Sequence, residues 1–438
     1  MTNYFRAVYY LYGMMKRAYW NRDRLIRYQN KKLRKIVKHA YDHVPFYHAK
    51  LRETGIKPDD IKTAKDLNKL PIVRKDEIKK HIHETISQDL KIDNLRMLRT
   101  SGSTGLPLHF YISGAEDEFR KAKHLRANIS LGQKPRDKWV VITSPAHFGE
   151  TTRIQRMLGV YVPTPVLVFD DVAAQISTIE ELKPDILDGY SSSLLLLAKE
   201  VEKRGGARIR PRFIIGGAEL IDDSSRRFIE KVFDAPFYDQ YACVEMERLA
   251  WQCPEKTGYH MDADTVIVQF VDEDGEEVSV GERGEIVCTS LFNYAMPFIR
   301  YAVGDVGIPT NEECPCGRTL PLMKVVEGRK DSFLLLSNGQ VLSPIALDVA
   351  MNMFKFHSDI DHYRIIQRKI DLFEFYIKIH SGGVAEKTME KELLKHLWRT
   401  LNINVDEATF KVKFVENIPL DKTGKLRKVI SELNQNVE

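Results

Sequence analysis

Short apolar runs alternate with helical windows through the middle of the chain, and this rhythm constrains the fold more than any other feature. Four runs have the length of buried strands: WVVITS (139–144), DILDGY (185–190), RFIIGG (212–217) and PFYDQYA (236–242). Helical patterns separate them, for example over Ser191–Lys203 and Asp222–Phe233. Strand, helix and strand in this order predict a parallel α/β sheet.

The sequence on either side of this region has a different texture. Residues 1–90 are basic and helical, 91–257 carry the strand–helix rhythm, and 258–327 contain TVIVQFVD and GEIVCTSL, which are typical of antiparallel β structure. The remainder mixes strand patterns with the helical KELLKHLWRTL. The predicted fold class is therefore α/β, with a large N-terminal domain (1–327) and a small α+β C-terminal domain (328–438).

Length and charge exclude several classes of protein. A chain of 438 residues predicts two or three domains. The net charge of +5 is too small to indicate nucleic-acid binding, although residues 1–50 alone carry twelve Lys/Arg against two Asp/Glu. Five cysteines, an odd number in a long chain, argue against a disulfide framework and favour a reducing, cytoplasmic location.

The aromatic segment Tyr4–Trp20 raises the question of a membrane. Its longest uncharged stretch, Ala7–Met15, is far shorter than the ~20 residues of a spanning helix. Arg6, Lys16 and Arg17 flank it, and no small-residue cleavage site follows, so we predict neither a transmembrane segment nor a signal peptide. Two interpretations stay open: a helix packed on the protein body, or an interfacial helix whose cations meet anionic lipid.

A loop rich in Ser, Thr and Gly spans Thr100–Pro107 and reads TSGSTGLP. Its glycines allow a tight turn and a close approach to an anion, and its hydroxyls and amides offer donors to phosphate oxygens. The loop is either a phosphate site or a solvent turn. It is not the P-loop of NTPases, since no Gly-Lys-Ser/Thr occurs in it.

Five further segments follow this loop in a fixed order: GGAEL (216–220), DQYACVEM (239–246), RYAVGD (300–305), EGRKDSF (327–333) and LDKTGKLRK (420–428). Together with the loop they resemble the adenylate-forming superfamily of acyl-CoA synthetases. The match is closest to its branch of phenylacetate–CoA ligases and capsule-biosynthesis adenylating proteins, which the basic N-terminus with HVPFYHAKL also resembles. The resemblance implies an AMP-forming ligase whose small C-terminal domain is mobile.

The resemblance also implies which residues bind the nucleotide. The implied ATP- and AMP-binding residues are Ser101, Gly102, Ser103, Thr104, Gly105, Gly217, Ala218, Glu219, Asp239, Gln240, Tyr241, Asp305 and Arg329. Tyr241 would stack on adenine. Asp305 would accept hydrogen bonds from both ribose hydroxyls, which suits an ionised acceptor.

The implied catalytic residues are Lys425 and Glu245, and the implied hinge is Asp331. Lys425 would bridge the attacking carboxylate and the α-phosphate, where charge spreads during transfer. Glu245 offers Mg²⁺ a hard oxygen ligand beside the phosphates. Val244 stands where the family commonly has a hydroxyl residue, a departure that would slow adenylation. Each of these residues also has a plain structural interpretation, such as a linker charge or a tail lysine.

A second set of residues has the chemistry of a metal site. Cys253, His260, Cys314 and Cys316 together supply three thiolates and one imidazole, the ligands of a structural Zn²⁺ ion. Unrelated reduced thiols are the alternative interpretation.

The substrate pocket is assigned from the turns that follow two of the strands. Its candidate residues are Phe148, Gly149, Tyr190 and Ser191, which also fit an ordinary loop and a helix N-cap.

The leading functional hypothesis is an ATP-dependent ligase that converts a carboxylic acid, with an aryl or arylacetic acid as first choice, into an acyl-adenylate and transfers it to coenzyme A. Two alternatives remain. One is adenylylation with a non-CoA acceptor, such as a capsule precursor, a carrier or a deazaflavin. The other is a nucleotide-binding regulator with little turnover. A homodimer is left open.

Overall fold

A computed structural model of the chain describes residues 4–100, 108–145, 151–206, 208–329, 333–338, 341–342, 344, 347, 350–351, 353–380, 382–401, 403, 408–420 and 426–433. The chain divides into two compact units. The first contains Met1–Asp137, Thr151–Val162 and Tyr238–Val326, and the second contains Lys138–Glu150, Pro163–Phe237 and Glu327–Glu438.

The described α-helices of eight or more residues, and two shorter ones, are numbered along the chain. They are α1 (Tyr4–Arg17), α2 (Arg22–His43), α3 (Pro45–Glu53), α4 (Lys75–Lys80), α5 (Gly114–Ser130), α6 (Arg153–Leu158), α7 (Val172–Leu182), α8 (Ser191–Lys203), α9 (Asp223–Phe233) and α10 (Glu386–Leu401).

The described strands are numbered in the same way. They are β1 (Arg96–Arg99), β2 (His109–Ile112), β3 (Trp139–Thr143), β4 (Pro163–Leu167), β5 (Ile186–Tyr190), β6 (Phe213–Gly217), β7 (Phe237–Cys243), β8 (Glu247–Gln252), β9 (Tyr259–Met261), β10 (Val266–Val271), β11 (Gly284–Ser290), β12 (Tyr301–Pro309), β13 (Leu322–Arg329), β14 (Leu334–Leu335), β15 (Val341–Leu342), β16 (Ile360–Lys369), β17 (Leu372–Ile379), β18 (Thr409–Phe414) and β19 (Val429–Ser431).

The basic N-terminal helices belong to the first unit, and each buries one face, although large side chains of α1 such as Phe5 and Tyr9 are exposed. Helix α2 begins where the Asn21 side chain accepts a hydrogen bond from the Arg24 amide at 2.9 Å. Its buried residues recur at helical spacing, so one stripe faces the core while the charged residues face solvent. Helix α1 packs Met14 against Phe119 of α5. Among the described residues no helix has both the length and the apolar character needed to cross a membrane.

The sheet of the first unit has the strand order β10-β11-β12-β13-β9-β8-β7. Strands β10 and β11 pair antiparallel, with Val266 opposite Ser290, which confirms the β hairpin predicted from TVIVQFVD and GEIVCTSL. Strands β7, β8 and β9 form an antiparallel meander. This meander carries the motif around Tyr241 and one ligand of the predicted zinc site.

A buried ion network joins α1 and α5 to the turn between β9 and β10. The fully buried Arg126 guanidinium contacts Asp262 and lies 2.6 Å from Asp264, while Arg17 lies 2.8 Å from the other Asp264 oxygen. Trp251 donates its indole N–H to Asp262 at 2.9 Å. Burial acts to raise the pKa of Asp264, but the Arg126 and Arg17 cations outweigh it and hold that pKa below its usual value.

The second unit contains the parallel sheet that the strand–helix rhythm predicts. Its strand order is β6-β5-β3-β4, and all three pairs are parallel. The predicted strands 139–144, 185–190 and 212–217 agree with β3, β5 and β6 to within a residue at each end. Parallel strands place their carboxyl ends at one edge of a sheet, so Gly217 and Tyr190 end at the same edge.

The C-terminal part of the second unit has its own four-stranded sheet, in the order β18-β17-β16-β19. Strands β16 and β17 form an antiparallel hairpin, and helix α10 covers the sheet through Met389, Leu393 and Leu397. Within this unit the Lys199 ammonium of α8 donates to the Ile360 carbonyl at 2.8 Å. The domain boundaries predicted from the sequence stay a prediction.

Candidate functional site

Tyr241 and Asp305, predicted from two different motifs, are in direct contact in the first unit. The Tyr241 hydroxyl donates to the Asp305 carboxylate at 2.7 Å. Burial and the neighbouring carboxylate raise the pKa of Tyr241 well above its ordinary value, so the phenol keeps its proton and remains a donor. Positions 64 residues apart in sequence thus present an aromatic ring and a carboxyl acceptor at one place.

Glu245 lies in the tight turn between β7 and β8. Its side chain is buried, and one of its carboxylate oxygens accepts a hydrogen bond from the Tyr301 hydroxyl at 2.8 Å. The Glu245 carbonyl accepts from the Asn293 amide at 3.0 Å. The turn is therefore fixed from β12 and from the loop before it. A buried carboxylate held in this way is a hard oxygen donor of the kind that Mg²⁺ prefers.

Two cations of α5 hold the same turn by its backbone. Arg120 donates to the Val244 carbonyl at 2.6 Å and to the Glu245 carbonyl at 3.1 Å. The buried Lys123 donates to the Met246 carbonyl at 3.1 Å, and its burial lowers its pKa to about 8. Because these contacts are to backbone oxygens, they position the turn whatever side chain follows Cys243. Neither cation was predicted from the sequence.

Asp239 and Gln240 precede Tyr241 on β7 and already have partners. The Asp239 carboxylate accepts from the Tyr259 hydroxyl at 2.6 Å. Gln240 is buried, and its amide donates to the Asn128 side chain at 3.1 Å. In this structure Gln240 therefore connects β7 to α5, and the adenine-facing role stays a prediction for both residues.

The Gly217–Glu219 segment leaves the carboxyl end of β6 in the second unit. Ala218 has a φ of +64°, in the left-handed region that costs an L-residue with a side chain about 1–3 kcal/mol. A strained conformation of this kind persists only where the surroundings impose it. At Ala218 this conformation turns the chain sharply after β6.

The Glu219 carboxylate bridges two backbone amides that are far apart in sequence. One oxygen accepts from the Ser192 amide in the first turn of α8 at 2.9 Å, and the other accepts from the Leu426 amide at 2.8 Å. Leu426 directly follows Lys425. The carboxylate thus ties the segment after the predicted catalytic lysine to the edge of the parallel sheet in the second unit.

Tyr190 and Ser191, the two described candidates for the substrate pocket, lie at the same edge. The Tyr190 hydroxyl is 3.4 Å from the Thr143 hydroxyl, and Ser191 donates to the Glu219 carbonyl at 3.4 Å. Both are buried.

The Cys253, His260, Cys314 and Cys316 side chains come together in the first unit. One ligand atom from each lies within 4.8 Å of the others. The Cys253 and Cys314 sulfurs are 3.4 Å apart, and the Cys316 sulfur is 3.3 Å from His260 Nε2. Burial, followed by the charge of Arg318, lowers the pKa of His260 to about 4, so the imidazole is neutral and has a lone pair to offer. Three thiols and one neutral imidazole at this spacing fit a tetrahedral zinc ion.

No family model matches the chain. Curated relatives do match it over nearly its whole length. A phenylacetate–coenzyme A ligase of Thermus thermophilus is 24% identical over 440 residues, which cover 93% of this chain and 97% of that protein. Protein CapK of Staphylococcus aureus is 23% identical over 432 residues, which cover 93% and 90%.

Solved structures of acyl-CoA ligases are also similar to this chain. A crystal structure of 2-hydroxyisobutyryl-CoA ligase in the postadenylation state, in complex with R3-HIB-AMP, superposes with a TM-score of 0.77. It is 20% identical and covers 93% of this chain and 89% of that chain. The chain is a homologue of the phenylacetate–CoA ligases with the fold of the adenylate-forming ligases. The family resemblance, the α/β fold class and the enzyme class predicted from the sequence are confirmed.

Several predicted residues of this ligase homologue lie outside the described residues. They are Ser101, Gly102, Ser103, Thr104 and Gly105 of the phosphate loop, Phe148 and Gly149 of the substrate pocket, the hinge Asp331 and the catalytic Lys425. The backbone of Arg329 ends β13, and its side chain belongs to the same group. Their roles stay predictions.

Four residues of the ligase homologue that fix the Glu245 turn were not predicted: Arg120, Lys123, Asn293 and Tyr301. One signal was available in the sequence. Lys123 and Arg126 fall on the same helical stripe as the apolar Phe119 and Ala127, and a cation at a core-facing position implies a buried acceptor. Asn293 and Tyr301 carry no such signal, since a polar or aromatic residue in a loop or strand is ordinary.

Proposed function

We infer that this protein is an ATP-dependent acid–thiol ligase that activates an aryl or arylacetic acid. The acid carboxylate attacks the α-phosphorus of ATP, the bond to the β-phosphate breaks, and pyrophosphate leaves with an acyl-adenylate remaining. The thiolate of coenzyme A then attacks the acyl carbonyl, and AMP leaves as the thioester forms. The substrate class rests on the names of the phenylacetate–CoA ligases that the chain is similar to.

The contact between Tyr241 and Asp305 carries the proposal. These residues come from two separate motifs and meet at 2.7 Å as an aromatic ring and a carboxyl acceptor, the pair that an adenosine needs. In the proposed site Asp305 holds the ribose hydroxyls, Tyr241 stacks on adenine and Glu245 holds Mg²⁺. Mg²⁺ held by Glu245 would offset the charge of the triphosphate and favour the departure of pyrophosphate. Lys425 stabilises the charge at the α-phosphate.

The reaction is tested by a panel of carboxylic acids with ATP and Mg²⁺, with and without coenzyme A. The proposal predicts AMP and pyrophosphate in equal amounts, and a thioester that forms only when coenzyme A and an aryl or arylacetic acid are both present. A rate of pyrophosphate release that does not depend on any acid of the panel would contradict the proposal.

Lys425→Ala separates the two half-reactions. Pyrophosphate release is expected to fall, while transfer from a supplied acyl-adenylate to coenzyme A continues, because the lysine acts only on the first transition state. Lys411→Ala, an exposed lysine on β18, is the matched control. Equal loss of both half-reactions in Lys425→Ala would assign that lysine to stability or to both steps.

A different acceptor is the second candidate, and the similarity to CapK over 93% of this chain favours it. In that case the adenylate forms as above, but coenzyme A does not accelerate the release of AMP. Adenylate formation with an acid, followed by no thioester, would select this candidate over the first.

The Cys/His cluster is proposed to hold a structural Zn²⁺ ion. All four ligands are protein side chains, which leaves no open coordination position for catalysis. The ion would join the end of β8, strand β9 and the loop before β13. Metal analysis of the purified protein is expected to find one zinc per chain, and Cys314→Ser with Cys316→Ser is expected to lose it and lower the melting temperature.

A further inference from the structure

Two histidines and an aspartate form a second cluster with metal-ligand chemistry in the first unit. His39 and His43 are four residues apart on α2, so their side chains leave the same face of the helix. Their ring centroids are 5.0 Å apart. Asp89 lies beside them, and one ligand atom from each of the three residues lies within 4.8 Å of the others. None of the three belongs to the proposed reaction or to the Cys/His cluster.

The groups around the cluster orient its ligands. His39 Nε2 lies 2.9 Å from the Tyr294 carbonyl, which can only accept, so Nε2 carries the proton and the second ring nitrogen keeps its lone pair. Ser87, which is buried, donates to the Asp89 carboxylate at 2.6 Å. A histidine that donates to a carbonyl and a carboxylate that accepts from a hydroxyl are the outer contacts that orient the ligands of metal sites.

His43, the remaining ligand, can bind an ion without losing a hydrogen bond to the described part of the chain. His43 makes a ring contact with His39, and its ring has no hydrogen bond within the part of the chain that the structure describes. Its backbone carbonyl accepts from the Gln88 amide at 2.8 Å, which fixes the Asp89 segment against the end of α2. The segment and the helix are therefore already adjacent before any ion binds. His43 is half-buried and Asp89 is exposed, so an ion can enter from solvent.

We propose that His39, His43 and Asp89 bind a divalent transition-metal ion, with water in the remaining coordination positions. Imidazole and carboxylate ligands suit Zn²⁺, Co²⁺ and Ni²⁺, and two histidines at i and i+4 with a carboxylate form a three-residue site. The ion joins α2 to the segment around Ser87. That segment and the loop at Tyr294–Ala295 are already bonded through the Ser87 amide, which donates to the Ala295 carbonyl at 2.9 Å.

Cobalt distinguishes this site from the Cys/His cluster, because thiolate ligands give sulfur-to-cobalt charge-transfer absorption and imidazole and carboxylate ligands do not. The probe is Co²⁺ titrated into Cys314→Ser/Cys316→Ser protein. The expected result is one bound ion per chain with a d–d spectrum and no charge-transfer band. His43→Gln in the same background is expected to weaken Co²⁺ binding at least about 10-fold, because one of three ligands is lost.

His83→Gln, an exposed histidine in the neighbouring segment, is the matched control and is expected to bind Co²⁺ as the parent does. If the double cysteine variant does not fold, wild-type protein whose Cys/His cluster is filled with Zn²⁺ takes its place, and the second ion is measured. Equal Co²⁺ binding by His43→Gln and His83→Gln overturns the proposal. It is also overturned if no bound Co²⁺ shows a d–d spectrum without the sulfur-to-cobalt charge-transfer band. Failure of the ligase assays would leave this result unaffected.

Discussion

At the scale of single residues, the Asp305 carboxylate is the group whose chemistry the proposed site depends on most. Tyr241 occupies one of its oxygens in this structure at 2.7 Å. In the proposed site the two ribose hydroxyls would donate to the same carboxylate, a group that offers about four acceptor positions in all.

Asp305→Ala is expected to raise the KM for ATP clearly and to lower the melting temperature only slightly. A hydrogen bond to a charged group is worth about 1.5–3 kcal/mol, and about 1.36 kcal/mol corresponds to a tenfold change, so the KM should rise by about 10-fold or more. Asp93→Ala, at an exposed aspartate, is the control and should leave the KM unchanged. An Asp305→Ala enzyme with the wild-type KM for ATP would remove Asp305 from the site.

A single carboxylate beside the Glu245 turn gives the protein a predictable response to acid. Burial acts to raise the pKa of Glu247, but the His124 and Arg120 side chains outweigh it and lower that pKa to about 2. The depressed value means that Glu247 stabilises the folded state above pH ~4.3, its unfolded value, and that this contribution is lost as the pH falls toward 2.

Denaturant unfolding of wild type and Glu247→Gln at pH 6 and pH 3 measures this contribution. The wild type should be the more stable of the two at pH 6. The difference should shrink at pH 3, because Glu247 of the unfolded chain then binds a proton while Glu247 of the folded protein, with its lower pKa, stays mostly ionised. A difference that is constant over this range would show that Glu247 contributes through packing alone.

At the scale of elements, α5 supports the candidate site residues of the first unit. It meets the Glu245 turn through Arg120 and Lys123, and it meets the turn after β9 through Arg126. Hydrogen bonds from a guanidinium to carbonyls in a buried place set the position of the turn, and Val244 does not disturb them because only its backbone takes part.

Arg120→Met is therefore expected to lower the rate of pyrophosphate release about 10-fold or more, since two charge-assisted hydrogen bonds of about 1.5–3 kcal/mol each are lost from the turn. The KM for the acid should change little. Lys121→Met, on the same helix but paired with Asp117, is the matched control. Equal effects of the two variants on the rate would show that α5 does not act through the turn.

The strands formed by continuous apolar runs, such as β3 and β6, were predictable, and the long-range contacts were not. Runs such as WVVITS and RFIIGG are buried strands because consecutive apolar residues leave no face for solvent. The Glu219 contact with Leu426 joins positions 207 residues apart, and no local pattern encodes it. The sequence predicts Glu219 as a nucleotide-binding residue, a role that stays a prediction, and it gives no sign that the Glu219 carboxylate accepts from two backbone amides.

Of the two clusters of metal-ligating residues, the Cys/His cluster was predictable from the sequence and the His39, His43 and Asp89 cluster was not. The three cysteines are unusual residues in a chain with few of them, so the Cys/His set stands out in the sequence. His39 and His43 are two of the 13 histidines of the whole chain and lie in a basic helical region, and Asp89 is one of many carboxylates. Their proximity depends on where the chain returns after α4, which the sequence pattern does not specify.

At the scale of the whole molecule, the proposed reaction needs Lys425 for adenylate formation and not for thioester formation. In the second unit, Glu219 holds the Leu426 amide and Lys199 holds the Ile360 carbonyl. Two hydrogen bonds of this kind are strong enough to favour one arrangement and weak enough to be exchanged for others on a change of state.

Glu219→Ala is expected to speed hydrogen exchange at the Leu426 amide, because the amide loses a half-buried carboxylate acceptor. It should also slow adenylate formation while leaving thioester formation from supplied adenylate in place. Glu200→Ala, on the exposed side of α8, is the matched control and should leave the Leu426 amide protected. Unchanged exchange at Leu426 in Glu219→Ala would mean that the contact does not hold the segment in solution.

The exchange of labelled pyrophosphate into ATP tests the central claim most directly, since it requires reversible formation of an acyl-adenylate and no acceptor. The account predicts exchange that depends on Mg²⁺ and on an aryl or arylacetic acid, proceeds without coenzyme A, and is lost in Lys425→Ala. Exchange that is absent with every acid, in a protein that binds ATP, would contradict it.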